Sequence, residues 1–213
     1  MLKPAVDDLL YTACVRHLCG IILALPCIVL AVPAGIATTA LYYAVNKVIR
    51  HSRGYLWSSF WHSFKTNMKQ GAFVTLVVAA AVVLVGLDGY IMYQFAKAGE
   101  KSGVLYVVFF VLMLVVIAWA IYVFPYMARF ENSTKLILKN SALMAIGNLP
   151  KTFMALMFFL ACCIGTYLLP VVAIISPALG MLLLNYILEG VFERYMSDED
   201  REAENERNQE FYN

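Results

Sequence analysis

Four stretches of the chain run apolar for long distances. Residues 18–46 carry no charge, 71–96 carry Asp88 alone, and 103–128 and 152–188 carry none. A helix needs about 20 apolar residues to cross a hydrocarbon core about 30 Å thick, so each stretch predicts a spanning helix. As one helix the last stretch would run roughly 55 Å at 1.5 Å per residue. It also holds Pro170 and Pro177, which disfavour a straight helix. It therefore reads as a hairpin of two spans, 152–169 and 172–192; one kinked, tilted helix is the competing reading. Pro26 and Pro33 interrupt the first stretch. It reads as a span within 10–45, with room for a second helical piece over 34–50.

The segments between the spans are also patterned. In 55–69, Leu56, Trp57, Phe60, Trp61, Phe64 and Met68 recur at offsets that place the aromatics on one helical face, with Ser58, Ser59, His62, Ser63, Lys65 and Thr66 between them. Tryptophans with basic neighbours suit a membrane headgroup layer; packing on another subunit uses the same face. In 133–148, Asn132 and Ser133 suit the helix start, and Leu136, Leu143 and Met144 suit an apolar surface. Both segments end on an asparagine, Asn67 and Asn148, just before a span. The chain thus reads as two parallel units, each a span, a surface helix and a span. The expected architecture is all-α: a polytopic transmembrane helix bundle in a single domain, 1–196. It has about five spans (10–45, 71–96, 103–128, 152–169 and 172–192) plus two cytoplasmic interfacial amphipathic helices.

Composition agrees. Apolar residues make up 62% of the 213 and charged residues 14%, against about 45–50% and about 25% in a soluble domain; the mean hydropathy is +0.74. The 197–213 tail holds seven acidic residues and two arginines, a balance of −5 against +2 for the whole chain, which leaves +7 elsewhere. Those positive charges concentrate in 47–69 and 129–151, whereas 97–101 is mixed. The positive-inside rule then places the first two segments in the cytoplasm and the third outside. The N-terminus is outside, and the acidic tail is cytoplasmic if there are five spans. A signal peptide is disfavoured by Asp7 and Asp8 and by the overlong apolar run. Basic residues confined to loops do not make a nucleic-acid surface.

Candidate chemistry is sparse. Cys14, Cys19, Cys27, Cys162 and Cys163 form no C-x-x-C pair and read as packing residues. His17, His51 and His62 lie outside the span centres, so haem ligation has no support. No catalytic, cofactor or metal motif is present, and the chain reads as a non-enzyme without a cofactor. Asp88 is the ionisable residue well inside a span, with Gly86, Gly89 and Tyr90 beside it. Asp88 and Tyr90 are a candidate intramembrane polar site, a substrate or cation contact; solvation near the outer interface is the competing reading. Pro125 breaks the third span near its cytoplasmic end, with Arg129 as an anchor. Glu189 and Glu193, one turn apart, read as a solvated face.

Several segments resemble the YesL-like bacterial membrane proteins: 35–43 (GIATTALYY), 60–67 (FWHSFKTN), 69–71 (KQG), 122–132 (YVFPYMARFEN), 138–143 (LKNSAL) and 148–150 (NLP). The resemblance spans about 18–193, and the acidic tail lies outside it. It implies an association with uptake and breakdown of complex carbohydrates beside sugar-binding ABC transporters. The expectation is an accessory or scaffold protein of the bacterial plasma membrane whose partners are the lipid bilayer, an ABC permease or other membrane subunits, or further copies of itself. Its candidate contacts are Trp57, Phe60, Trp61, Phe64, Asn67, Pro125, Arg129, Asn148 and Pro150. The rival is a small autonomous transporter or permease subunit using Asp88; a membrane enzyme lacks a convergent acid, base and nucleophile.

Overall fold

The computed structural model describes residues 31–50, 54–169, 171–196, 198 and 201–202. The first part of the first expected span (10–30) and nearly all of the acidic tail lie outside these residues. So do Cys14, Cys19, Cys27, His17, His51 and Pro170. The described chain is helical, with no strand among the described residues. Helix α1 covers 31–45 and passes into a π-helical turn, Asn46–Arg50. It is followed by α2 (Leu56–Thr66), α3 (Met68–Lys97), a 3₁₀ turn (Lys101–Leu105), α4 (Tyr106–Arg129), α5 (Thr134–Gly147), α6 (Leu149–Leu168) and α7 (Val172–Tyr195).

Three of these are long and apolar enough to cross a membrane: α3, α4 with its preceding 3₁₀ turn, and α6. The protein buries only 22, 11 and 11% of their most apolar windows, so most of that apolar surface points outward. Helices apolar all round and not covered by protein belong in lipid.

The 152–188 stretch divides as the hairpin reading expects. α6 ends at Leu168, α7 begins at Val172, and the two pack together. Pro125 behaves differently from the sequence expectation: α4 continues through it to Arg129. An interior proline costs about 3 kcal/mol, and here Ile121, Tyr122, Val123, Pro125, Tyr126 and Met127 are all buried around it. Packing outweighs the missing hydrogen bond.

The chain divides into two compact units, with α3 and α4 each contributing to both. In the first unit (described part 31–33 and 75–117), α3 and the start of α4 form a hairpin. Gly99, at φ +79°, ends α3: Gly99 N–H donates to the Ala96 carbonyl and Glu100 N–H to that of Phe95. This left-handed closure suits glycine because it lacks a Cβ. At Gly103 an added Cβ would lie 2.2 Å from the Ala96 nitrogen, so the hairpin closes only with glycine there.

The second unit holds Ala34–Val74 and 118–196 of the described residues. Its α2–α3 and α5–α6 corners are built alike. At the first, Asn67 donates its backbone N–H and its Nδ2 to the Ser63 carbonyl, both at 3.0 Å, and accepts from Gly71 N–H. At the second, Asn148 donates both groups to the Met144 carbonyl, at 3.1 and 3.2 Å, and accepts from Thr152 N–H. Each asparagine thus closes one helix and opens the next.

Candidate functional site

The densest polar arrangement among the described residues is inside the second unit, around α7. Among the described side chains of α7, Leu184, Asn185, Leu188, Glu189, Val191 and Phe192 are buried, at the three-and-four spacing of an inward helical face. Glu189 is therefore not on a solvated face. Its side chain is 1% exposed, whereas Glu193, a turn nearer the helix end, is exposed. The pair share a spacing but not an environment, because the core ends between them.

Three groups from other helices meet the Glu189 carboxylate. Tyr42, in α1, donates its hydroxyl to Oε1 at 3.1 Å, and Asn46, opening the π turn, donates Nδ2 to the same oxygen. Arg129, the last residue of α4, places Nε 3.4 Å from Oε2 and is itself 14% exposed. Hydrogen bonds to an ionised group are roughly twice as strong as neutral ones, and a buried charge needs such partners. The cluster ties α1, α4 and α7 at one point.

Phe192, one turn beyond Glu189, is fully buried in an aromatic cage. Tyr42, Tyr122, Tyr126 and Phe130 present themselves edge-on at 6.4, 6.5, 6.1 and 5.8 Å. Edge-to-face pairs add about 0.5–1.5 kcal/mol each beyond burial. The tyrosine hydroxyls leave this cage for polar partners. That of Tyr122 lies 3.0 Å from Thr152 Oγ1, while that of Tyr126 accepts from Asn132 Nδ2 and Asn140 Nδ2, both at 3.0 Å. Asn148 Nδ2 also donates to the Tyr195 hydroxyl, and Gln70 Nε2 to the Asn132 carbonyl. Trp119 Nε1 reaches the Leu138 carbonyl and Ser141 Oγ, both at 3.1 Å.

This network explains the segments singled out in the sequence. Tyr122, Tyr126, Arg129, Phe130 and Asn132 of the YVFPYMARFEN run all serve the core around Glu189 and Phe192. Asn140 and Ser141 of LKNSAL, and Asn148 of NLP, extend it. Of the candidate contacts, Pro125 and Asn148 are buried, Arg129 is paired with Glu189, and Asn67 closes α2. Pro150 and the aromatics of α2 stay on the outside or partly so. The inward residues of α5 are Ile137, Ser141, Met144 and Ala145. Leu136 and Leu143 are exposed, so only Met144 of the expected apolar trio faces in. Ser133 takes the N-cap position without a side-chain bond, and Asn132 is spent on Tyr126.

Asp88 and Tyr90 are not brought together. Two residues apart is about 200° around a helix. Tyr90 lines an open groove in the first unit with Tyr93, Tyr106, Phe109, Phe110 and Met113, and Asp88 is not among its lining residues. Sequence reading placed Glu189 on a solvated face and missed its partners Tyr42 and Asn46. The available signal was that Arg129 and Glu189 are the first charges after the uncharged runs 103–128 and 152–188. Charge buried in this way ties helices together. With Oε1 taking two donors and Oε2 facing Arg129, Glu189 offers no open face to a substrate.

Described residues that are helical without strands, with outward-facing apolar helices of membrane length, define a helix assembly suited to a bilayer. The family described as protein of unknown function, DUF624, matches residues 15–89, a span that takes in α1, α2, Tyr42, Asn46 and Asp88. No curated protein and no solved structure matches the chain.

Proposed function

We propose that this chain is an accessory or scaffold protein of the bacterial plasma membrane, crossing it about five times, with α2 and α5 as surface helices on the cytoplasmic side. The proposed setting, ABC-type uptake of complex carbohydrate, rests on the YesL-like resemblance. The observation that carries the scaffold reading is how the polar residues of the second unit are used. Tyr42, Asn46, Arg129 and Glu189 bind one another, as do Tyr126, Asn132 and Asn140. A carrier needs polar groups turned toward a path, and these are turned toward each other. The unit also turns large apolar side chains outward: Trp57 and Trp61 on α2, Leu143 and Ile146 on α5, and Leu149 opening α6.

The test is affinity purification from the native membrane in mild detergent, with mass spectrometry of what comes along. Stoichiometric ABC permease subunits are the expected result. A partnerless homo-oligomer that transports by itself, and stops when Asp88→Ala is introduced at normal expression, would replace the scaffold by an autonomous transporter.

A further inference from the structure

The aromatic face of α2 is inverted relative to an ordinary amphipathic helix in a soluble protein. The residues α2 buries are Ser59 and Ser63, while Trp57 is 70% and Trp61 41% exposed. These rings are ordered among themselves. Trp57 stacks on Phe60 at 6.1 Å, Phe60 on Phe64 at 6.0 Å, and Trp61 meets Trp57 and Phe64 edge-on at 5.9 and 5.4 Å. Small serines seat the helix on the protein, and the four rings form a plate whose Trp57 and Trp61 are exposed and whose Phe60 and Phe64 are half-buried.

We propose that this plate, with Lys65 and Lys69 beside it, is a binding surface for the headgroup layer of anionic lipid. The proposal rests on the reading that the chain is embedded in a membrane and goes beyond it by naming what α2 touches. Three observations favour lipid over a protein partner. First, Asn67 alone separates α2 from α3, a helix of membrane length, and its hydrogen bonds to Ser63 and from Gly71 N–H hold that corner. The plate is therefore held at the level where such a helix leaves the bilayer. Tryptophan is enriched at that level, its ring being apolar with one polar edge.

Second, the charge is one-sided. Lys47, Arg50, Arg53, Lys65 and Lys69 flank or belong to this region, and no Asp or Glu occurs between Asp8 and Asp88. Basic residues beside an aromatic helix face complement anionic headgroups.

Third, the duplicated corner supplies an internal comparison. With Asn67 set against Asn148, Trp57 and Phe60 correspond to Leu138 and Ser141 of α5. That face of α5 is covered from within the chain, by the Trp119 indole on the Leu138 carbonyl and Ser141 Oγ. The equivalent face of α2 carries its own large rings and leaves Trp57 mostly exposed.

The full-length protein is placed in nanodiscs containing lipid brominated near the headgroup, either phosphatidylcholine or phosphatidylglycerol, and tryptophan quenching is measured. The chain has three tryptophans, so the paired variant Trp57→Phe/Trp61→Phe leaves Trp119 alone and isolates the α2 signal by difference. The expected result is quenching confined to Trp57 and Trp61, with a preference for phosphatidylglycerol of roughly ten-fold. That preference falls toward unity in Lys65→Gln/Lys69→Gln and at high salt. Wild-type protein without quenching at Trp57 and Trp61 overturns lipid contact, and equal quenching by both lipids overturns the anionic preference. Loss of a copurifying subunit in Trp57→Ser/Trp61→Ser, with no quenching in wild type, assigns the plate to a protein instead. Copurification retained alongside anionic quenching supports the lipid assignment. These outcomes are separate from those of the scaffold reading, which stands or falls on the partner and not on the quenching.

Discussion

Glu189 shows how one residue can be read correctly by type and wrongly by place. Its neighbours in sequence suggest a helix end at a surface, yet Tyr42, Asn46 and Arg129 gather around it from helices remote in sequence. Removing one member of a buried ion pair strands the other, typically at about 3–5 kcal/mol. Glu189→Ala should therefore lower the apparent melting temperature in detergent more than any single substitution on the exposed side of α7. Replacing both Arg129 and Glu189 by leucine should cost less than Glu189→Ala alone, because no unpaired charge is left. A double variant as unstable as the single one would mean that Tyr42 and Asn46, not the ion pair, supply the restraint. The signal for this cluster in the sequence was weak: an acid and an arginine with 59 residues between them. Coulomb attraction pairs them only after the helices have folded.

At the scale of elements, the helix borders were largely legible. Helices stand where 55–69 and 133–148 were expected to be helical, as α2 and α5, and the asparagines that end those segments form the corners. A hydrogen bond is worth about 0.5–1.5 kcal/mol net. Asn148→Ala empties a buried position and removes the bond to the Tyr195 hydroxyl, while the Met144 carbonyl keeps the backbone N–H of residue 148; it should destabilise more than Asn67→Ala, where the side chain is only part-buried and bonds Ser63 alone. Thermal unfolding of both variants in the same detergent checks the order. Glycines give a second contrast. Gly103→Ala drives a Cβ into the Ala96 backbone, and overpacking of this kind costs about 1–3 kcal/mol or more. Gly180→Ala, inside α7 with nothing within 4 Å, should stabilise by up to about 1 kcal/mol through helix propensity. Periodicity did not supply the inward face of α5, where Ile137 and Ser141 are buried and Leu143 is not. Among outward apolar surfaces facing lipid, hydrophobicity no longer tells inside from outside.

At the scale of the whole molecule, the proposed topology places 97–101 outside and 129–151 in the cytoplasm. In a cysteine-free background, cysteine at Ser102 should react with an impermeant maleimide in intact cells, and cysteine at Lys135 only after permeabilisation. Labelling of both from one side would require redrawing the spans. Membrane-length apolar runs, a break between α6 and α7 within the 152–188 run, and the repeated asparagine corners were determined by the sequence alone, although α7 continues through Pro177. Chain length against bilayer thickness and local backbone chemistry are properties of neighbouring residues. Tertiary structure alone decided that Glu189 is buried, that α4 runs through Pro125, and that α2 buries its serines and exposes Trp57 and Trp61. Each of these depends on which helices meet, and at what rotation. In a chain that is 62% apolar, many rotations bury similar area, so the few polar contacts select among them.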